Sequence, residues 1–441
     1  MKSPLRHVAM SLAVVLCAVA QCYGQSAEPS RLSTSSPYRT LLVPYPTAEA
    51  ADVGGLERQR YLQPIVEWQR SDAEPNAESA TTLSGQFTFP FSWLERQVFL
   101  RVEAIGAPYE VVVNGRVVGS STNGYVAAEY NITRASVEDR NSVEIRLLTS
   151  DAVADIECFD SEMPMPIAYV ISQPRVRVRE VLSRASLGMG GVVNANFDVV
   201  VHNETLGQKS SRVYYELYLN DTIRLHGGHR DVSLGMYGVD TLRFGTPIPD
   251  SVLWSAECPT RLSLRLKSRI AGRDVEFYDV AVGLRSLEYS DGVFRLNGHD
   301  VELSWCEMSP RSSIEDVAAQ YAAGVRAVRF TAGVVADELL DYCDSVGIYV
   351  AVTAPINSSR SGESRRRGGN PSNDPVWREE YVRRTEQMIH TTKRHPSVIA
   401  YFLADDSANG ICLYESYLAA KRIAGDRRVF YTDGNGEWNS D

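Results

Sequence analysis

The sequence predicts a multidomain protein in which two β-sandwiches precede a partial (β/α) barrel of the TIM type with about five strands. Three observations predict it. The chain has 441 residues, more than one hydrophobic core usually serves, so two to four domains are expected. From Leu83 to Arg285 the apolar residues fall in short runs of period two, rich in Val, Phe and Tyr, as half-buried strands do. After Asp291-Gly292 short apolar runs alternate with helical periods, the pattern of repeated β-then-α units around a parallel sheet.

The N-terminus reads Met1, Lys2, Arg6 and His7, then an apolar run from Val8 to Ala20 and small or weakly polar residues to Gly24. This predicts a secretory signal peptide over residues 1–24, because the run is shorter than the roughly 20 apolar residues a bilayer needs. Export to the periplasm or the extracellular space is the expectation. A lipoprotein anchor on Cys17 or Cys22 is disfavoured, since Leu16 and Gln21 stand where a small residue is wanted. Residues 25–37, rich in Ser, Ala, Glu and Pro, form a flexible leader. No later segment is apolar enough to span a membrane.

The first β domain is expected over 38–172, with strands at Phe87–Phe91, Val98–Val102, Tyr109–Val113, Val117–Gly119 and Val143–Leu147. Asn114-Gly115 is a two-residue hairpin signal, because both central positions of a type I′ turn need φ > 0. The second, over 173–284, places strands at Phe197–Val201, Val213–Leu219, Asp240–Phe244, Arg261–Leu266 and Glu276–Val280, a spacing that fits an immunoglobulin-like sandwich.

The third domain, 285–441, places strands at Val301–Trp305, Ala327–Thr331, Ile348–Thr353, Val398–Leu403 and Arg428–Tyr431. Ser312 and Glu315 predict a capping box for a helix with Ile314, Val317, Ala318, Tyr321 and Ala322 on one face. Further helices are expected over Ala336–Val346, from Asp374-Pro375 to about Lys393, and over Leu413–Ala424. A closed eight-stranded barrel needs about 250 residues, so this one is expected to be cut off after its fifth strand.

Composition narrows the partners. The chain has 45 Lys+Arg against 55 Asp+Glu, a formal net charge of −10; without Lys2 and Arg6 of the signal, 43 face 55, or −12. Acidity of this size disfavours nucleic acid and anionic lipid. Five cysteines remain beyond the signal, Cys158, Cys258, Cys306, Cys343 and Cys412, with no C-x-x-C pair, and buried thiols are a better reading than disulfides or zinc ligands. Arg360, Arg365, Arg366 and Arg367, among Gly362, Gly368 and Gly369, form a basic insertion, read as a solvated loop in preference to a polyanion site.

Local wording carries a resemblance. Phe87-Thr88-Phe89-Pro90 with Trp93, Arg96-Gln97-Val98-Phe99-Leu100-Arg101, Val113-Asn114-Gly115-Arg116-Val117-Val118-Gly119 and Ala128-Glu129-Tyr130-Asn131-Ile132-Thr133 come first. Leu253-Trp254-Ser255-Ala256-Glu257 and Val282-Gly283-Leu284-Arg285 follow, then Leu296-Asn297-Gly298, Ala327-Val328-Arg329 and His395-Pro396-Ser397-Val398-Ile399. As an ordered set over about Thr82 to Tyr431, they resemble glycoside hydrolase family 2, the β-galactosidase-like group. The resemblance implies a jelly-roll-like sugar-binding sandwich, an immunoglobulin-like sandwich and a catalytic barrel, with carbohydrate as the partner.

It also implies where the chemistry would sit. The family acid/base is the Glu of a Gly-Asn-Glu triplet after the fourth barrel strand; here the place reads Ala404-Asp405-Asp406, so Asp406 takes the acid/base position and Asp405 the sugar-contact position of Asn. Asp406 is one methylene short of Glu, and Asp405 cannot donate as an amide does. The plain alternative is that Asp405, Asp406 and Ser407 cap the following turn. Glu307, in Cys306-Glu307-Met308-Ser309-Pro310, is what remains of a His-Glu-His-His-Pro stretch. Asp151 matches a substrate-contacting Asp, or is a loop aspartate. Asn357 and Ser359 stand where magnesium ligands are expected, so no cofactor is predicted. The family nucleophile, a Glu on the seventh strand, has no counterpart before Asp441.

Three readings follow: a family 2 hydrolase chain, incomplete or catalytically impaired; a non-catalytic secreted carbohydrate-binding or scaffold protein; and an active enzyme with Asp406 as acid and another carboxylate, such as Glu307, as nucleophile.

Overall fold

A computed structural model describes residues 41–55, 59–72, 81–103, 105–125, 127–148, 156–157, 166–188, 192–366, 369–432 and 440–441. The expected signal peptide and leader, with Asp151, Cys158 and Arg367, lie outside the described residues. Among the described residues no helix is long and apolar enough to cross a membrane.

Two antiparallel sheets build the first β region. One runs, in spatial order, Leu62–Ile65, Ala168–Gln173, Gln97–Val102 and Ala128–Asn131; the other runs Gln69–Ser71, Thr82–Phe89, Asp139–Leu147, Tyr109–Val113 and Arg116–Ser121. The alternation explains the packing. Along Asp139–Leu147, Val143, Ile145 and Leu147 turn inward while Arg140, Ser142 and Glu144 do not. They meet Val98, Leu100 and Val102 of the facing sheet in one core around Trp93 and Tyr109. Asn114 and Gly115 both hold positive φ, 50° and 76°, as the hairpin requires.

The second β region packs the sheet Val176–Leu187, Val193–Asn203, Val239–Ile248 against the sheet Ile223–Leu234, Lys209–Leu219, Leu262–Ile270, Arg273–Val282. Every second residue of Val193–Asn203 is buried, and Phe197, Val199 and Val201 share a core with Val213, Tyr215 and Leu217. Two strands here, Val176–Leu187 and Ile223–Leu234, were not predicted.

The barrel domain contributes five parallel strands in sequential order, β1 Trp305–Met308, β2 Ala327–Phe330, β3 Tyr349–Thr353, β4 Val398–Phe402 and β5 Arg428–Phe430. Helices α1 Ile314–Ala322, α2 Asp337–Val346, α3 Arg378–Thr392 and α4 Ile411–Ile423 connect them. Val328, Phe330, Val350 and Val352 pack with Leu339, Leu340, Tyr381 and Ile389 of the helices. The alternate residues Ala327, Tyr349, Ala351 and Ala400 pack instead with Trp254, Phe294 and Leu296.

Two local expectations are corrected. The capping box of α1 is formed by Ser313 and Asp316, not Ser312 and Glu315: Asp316 Oδ2 accepts from Ser313 N at 2.8 Å while Ser313 Oγ accepts from Asp316 N at 3.1 Å. The first barrel strand begins at Trp305, because Val301 pairs with Phe294 in a separate three-stranded sheet of Leu287–Ser290, Val293–Leu296 and His299–Val301.

The β regions are fastened to the barrel at named points. Trp254, fully buried, donates its indole N–H to Asp344 O at 2.8 Å and meets Tyr349 edge-on. Gly347 ends α2 at φ 81° where a Cβ would lie 2.3 Å from Ala256 O, so both the left-handed backbone and the close approach require glycine. Arg285 donates to Pro396 O and Val398 O and pairs with Asp426.

Candidate active site

In parallel barrels chemistry gathers at the C-terminal ends of the strands, and there the described residues hold a charged cluster. Arg329 lies on β2 directly opposite Glu307 on β1. Its guanidinium pairs with Glu307 through one Nη and with Asp405, beyond β4, through the other. The guanidinium also lies over the Phe402 ring, 4.4 Å from its centre. Asp405 Oδ2 accepts the Ala332 N–H at 2.6 Å, so both of its oxygens are engaged. Burial pushes the Asp405 carboxyl above its ordinary value, against the opposing pull of Arg329 and the Ala332 N–H.

The three sequence-predicted residues that can be placed therefore differ. Glu307 and Asp405 are brought together by Arg329. Asp406 is exposed and sits at φ 28°, an uncommon backbone for any residue but glycine, and one for which Asp is among the tolerated exceptions. It faces a cavity of about 460 Å³ shared with Ser359, Glu363, Arg365, Ser407 and Asn409. Asp151 lies outside the described residues.

Arg329 had no assigned role in the sequence, although a signal was present: it is the one charge in the strand Ala327-Val328-Arg329-Phe330, and a charge among apolar strand residues needs a partner.

The first β region also reaches this face. Asn357 N donates to Ile156 O at 2.9 Å, and Asp405 N donates to Ile356 O at 2.9 Å, so Ile156–Glu157, the loop after β3 and the loop after β4 form a short ladder. The fully buried Arg384 of α3 holds this arrangement, binding Glu157, Glu380 at 2.9 Å and Pro355 O at 2.7 Å. Asn123 adds a 2.6 Å bond to Gln387.

Neither candidate metal position fits an ion. Asn357 Oδ1 accepts the Ser359 N–H at 3.0 Å, so its acceptor is committed to its own turn. Magnesium favours carboxylate oxygens, and Asn357 and Ser359 supply none. The group of Asp341, half-exposed, with the buried Asp344 and His395 is an ion-pair clamp: His395 Nδ1 meets Asp344 at 2.7 Å and Nε2 meets Asp337 at 3.0 Å, leaving no ring lone pair free. Among the described cysteines no disulfide forms. Cys343 and Cys412 are buried, but Cys258 is exposed and Cys306 half-buried, contrary to the expectation of buried thiols throughout.

Residues 299–440 match the family model for the TIM barrel domain of glycosyl hydrolases family 2. The barrel region of the chain is thus similar to a family 2 barrel domain. Among similar proteins, a β-galactosidase of Priestia megaterium is 22% identical over 407 residues, covering 86% of this chain and 39% of that protein. A β-galactosidase of Psychromonas ingrahamii is 24% identical over 375 residues, 80% of this chain and 35% of that one. The fold is similar to a β-glucuronidase of Bacteroides uniformis, with TM-score 0.69 at 16% identity over 84% of this chain and 52% of that one. The chain thus spans about one third to one half of the length of these relatives.

Proposed function

We propose that this chain is a family 2 glycoside hydrolase acting on O-glycosyl bonds of β-galactoside-like glycans, with Asp406 as the acid/base position and with catalysis impaired relative to a Glu at that place. The observation that carries the reading is the placement of Asp406, exposed at the C-terminal end of β4 beside a cavity while its neighbour Asp405 is fixed by Arg329 and Ala332. A retaining glycosidase needs two carboxyl groups about 5–5.5 Å apart. Glu307 and Asp405 are both held by Arg329, so neither is offered as the nucleophile. The shortened arm of Asp406 displaces an acid by more than the roughly 1 Å that costs on the order of 10²-fold in rate.

In this reading the two β regions follow jelly-roll-like and immunoglobulin-like layouts, which their paired sheets of four and five strands and of three and four strands support. No metal is assigned, and the N-terminal pattern supports export.

The test measures both binding and aryl release from an aryl β-galactoside by the wild type, Asp406→Ala and Asp406→Glu. Binding by all three is expected, with release lost in the Ala variant and raised on the order of 10²-fold in the Glu variant. Binding without release by any of them would favour a non-catalytic carbohydrate-binding protein. No binding at all would overturn the carbohydrate reading.

A further inference from the structure

A second cavity, of about 210 Å³, lies where the first β region faces α2 and α3, and it shares no residue with the one beside Asp406. Elsewhere this junction is closed by the Arg384–Glu157 pair and by the bond from Asn123 to Gln387. Here it stays open, with an apolar wall supplied from both sides: Ala127 from the β region, and Val335, Leu340, Val352, Pro355 and Met388 from the barrel. Apolar hollows between domains are where small molecules are most often held. An apolar cavity of about 150 Å³ takes up benzene, so this one has room for a single ring and a short arm. The Met388 thioether favours an aromatic body over an aliphatic one.

The polar side of the cavity selects the charge of that arm. Arg101 lines it, but its guanidinium is already shared between two carboxylates, Nε on Glu103 at 2.6 Å and Nη1 on Glu129 at 3.1 Å. Asp337, also in the lining, is matched by Arg394 and His395. Glu338, exposed in the first turn of α2, has no cation beside it among the described residues. Tyr169 stands directly opposite Arg101 on the neighbouring strand. Burial pushes its phenol up, and Glu338 and then Glu103 push it the same way against Arg101, which puts these groups together at one end of the cavity with negative charge in excess. An anion is repelled there. An ammonium group finds a carboxylate, a phenol oxygen and an aromatic ring, each of which attracts a cation.

We propose that this junction cavity binds a small arylalkyl amine, its ring against Met388 and the aliphatic wall and its ammonium group at Glu338 and Tyr169. The site is separate from the glycoside reading and stands or falls without it.

The experiment titrates the full chain at low ionic strength with benzylamine, benzyl alcohol, benzoate and methylammonium. Binding is followed by calorimetry and by the Met388 methyl resonance of protein labelled in its methionine methyls, identified by its absence from Met388→Leu. Wild type is compared with Glu338→Gln and with Thr391→Phe, which places a ring in the cavity from α3. The Thr391 hydroxyl bonds only carbonyls of its own helix, so its loss strands no group of the β region. Benzylamine is expected to shift the Met388 resonance and to bind roughly fivefold tighter than benzyl alcohol, the gain of one partly exposed ion pair. Benzoate should bind more weakly than the alcohol, and methylammonium should leave Met388 unmoved. Glu338→Gln and high salt should bring the amine down to the level of the alcohol, and Thr391→Phe should abolish both. Benzoate binding as tightly as benzylamine overturns the proposal, as does an amine preference that survives Glu338→Gln. So does the absence of binding by any aryl compound, or binding that leaves Met388 unmoved. If Thr391→Phe melts below wild type, the Met388 shift in the wild-type chain decides in its place.

Discussion

Arg329 and Asp405 are joined across the top of the barrel sheet, the guanidinium on one carboxylate oxygen and the Ala332 N–H, at 2.6 Å, on the other. Asp405 is thereby engaged in holding β2 to the loop after β4. Of the two neighbouring aspartates, Asp406 is the one that faces the cavity.

Replacing Arg329 by Met would leave the Asp405 carboxylate, only 13% exposed, without its countercharge. Breaking a buried pair from one side costs about 3–5 kcal/mol, and a loss near the lower end is expected in urea denaturation. The double variant Arg329→Met/Asp405→Asn should regain most of it, because no charge is then stranded. A single-variant loss below about 1 kcal/mol, the range of an exposed pair, would show that solvent screens the cluster.

The His395 clamp sets a pH dependence. Burial and Arg394 lower the imidazolium's pKa, but the Asp344 and Asp337 carboxylates raise it more, so it lies above its ordinary value. Asp337, despite its burial, is held well below the ordinary range by His395 and Arg394. A raised histidine stabilises the fold fully below the unfolded pKa of about 6.5 and loses that contribution as pH rises through the folded value. The depressed Asp337 contributes above its unfolded pKa and loses its share as pH falls through the folded one. Melting temperature should therefore hold between about pH 5 and 6.5 and decline on the alkaline side. His395→Gln should flatten that alkaline decline; an unchanged slope would assign it to other groups.

The strands were legible where alternation was unbroken and hidden where it was not. Val176–Leu187 escaped notice because a bulge between Val178 and Glu180 shifts its register, so its apolar residues leave period two. Ile223–Leu234 is an edge strand whose first nine residues are exposed or half-buried, and it carries Gly227-Gly228 and two histidines where an apolar face would give it away. In the site, Asp405 and Asp406 were found through their place after His395-Pro396-Ser397-Val398-Ile399. The Ala332 amide could not be found, since a backbone N–H has no side chain to read.

Gly347→Ala should destabilise by at least about 2 kcal/mol, because a left-handed alanine costs roughly 1–2 kcal/mol and its Cβ would also strike Ala256 O. Gly272→Ala is the control: φ is again 81°, but no atom lies within 4 Å of the new Cβ, so only the backbone cost is expected. Equal losses in chemical denaturation would mean that the α2 end relaxes away from Ala256.

Arg384→Met removes the partner of Glu157, 8% exposed, and of Glu380, 14% exposed. A loss of about 3–5 kcal/mol is expected, with Glu157→Gln costing less because it strands no carboxylate. If Glu157→Gln proves as costly as Arg384→Met, the Glu157 pair rather than the Pro355 carbonyl is the main attachment.

The ladder through Ile156, Asn357 and Asp405 also carries two separate clocks. The Asn357 amide is shielded by a carbonyl of the first β region and the Asp405 amide by the barrel loop beside it. Neither proton can meet solvent until its neighbour's segment lifts away. In hydrogen exchange the Asn357 amide should be released at the rate at which the β region parts from the barrel, and the Asp405 amide only when the two barrel loops also separate.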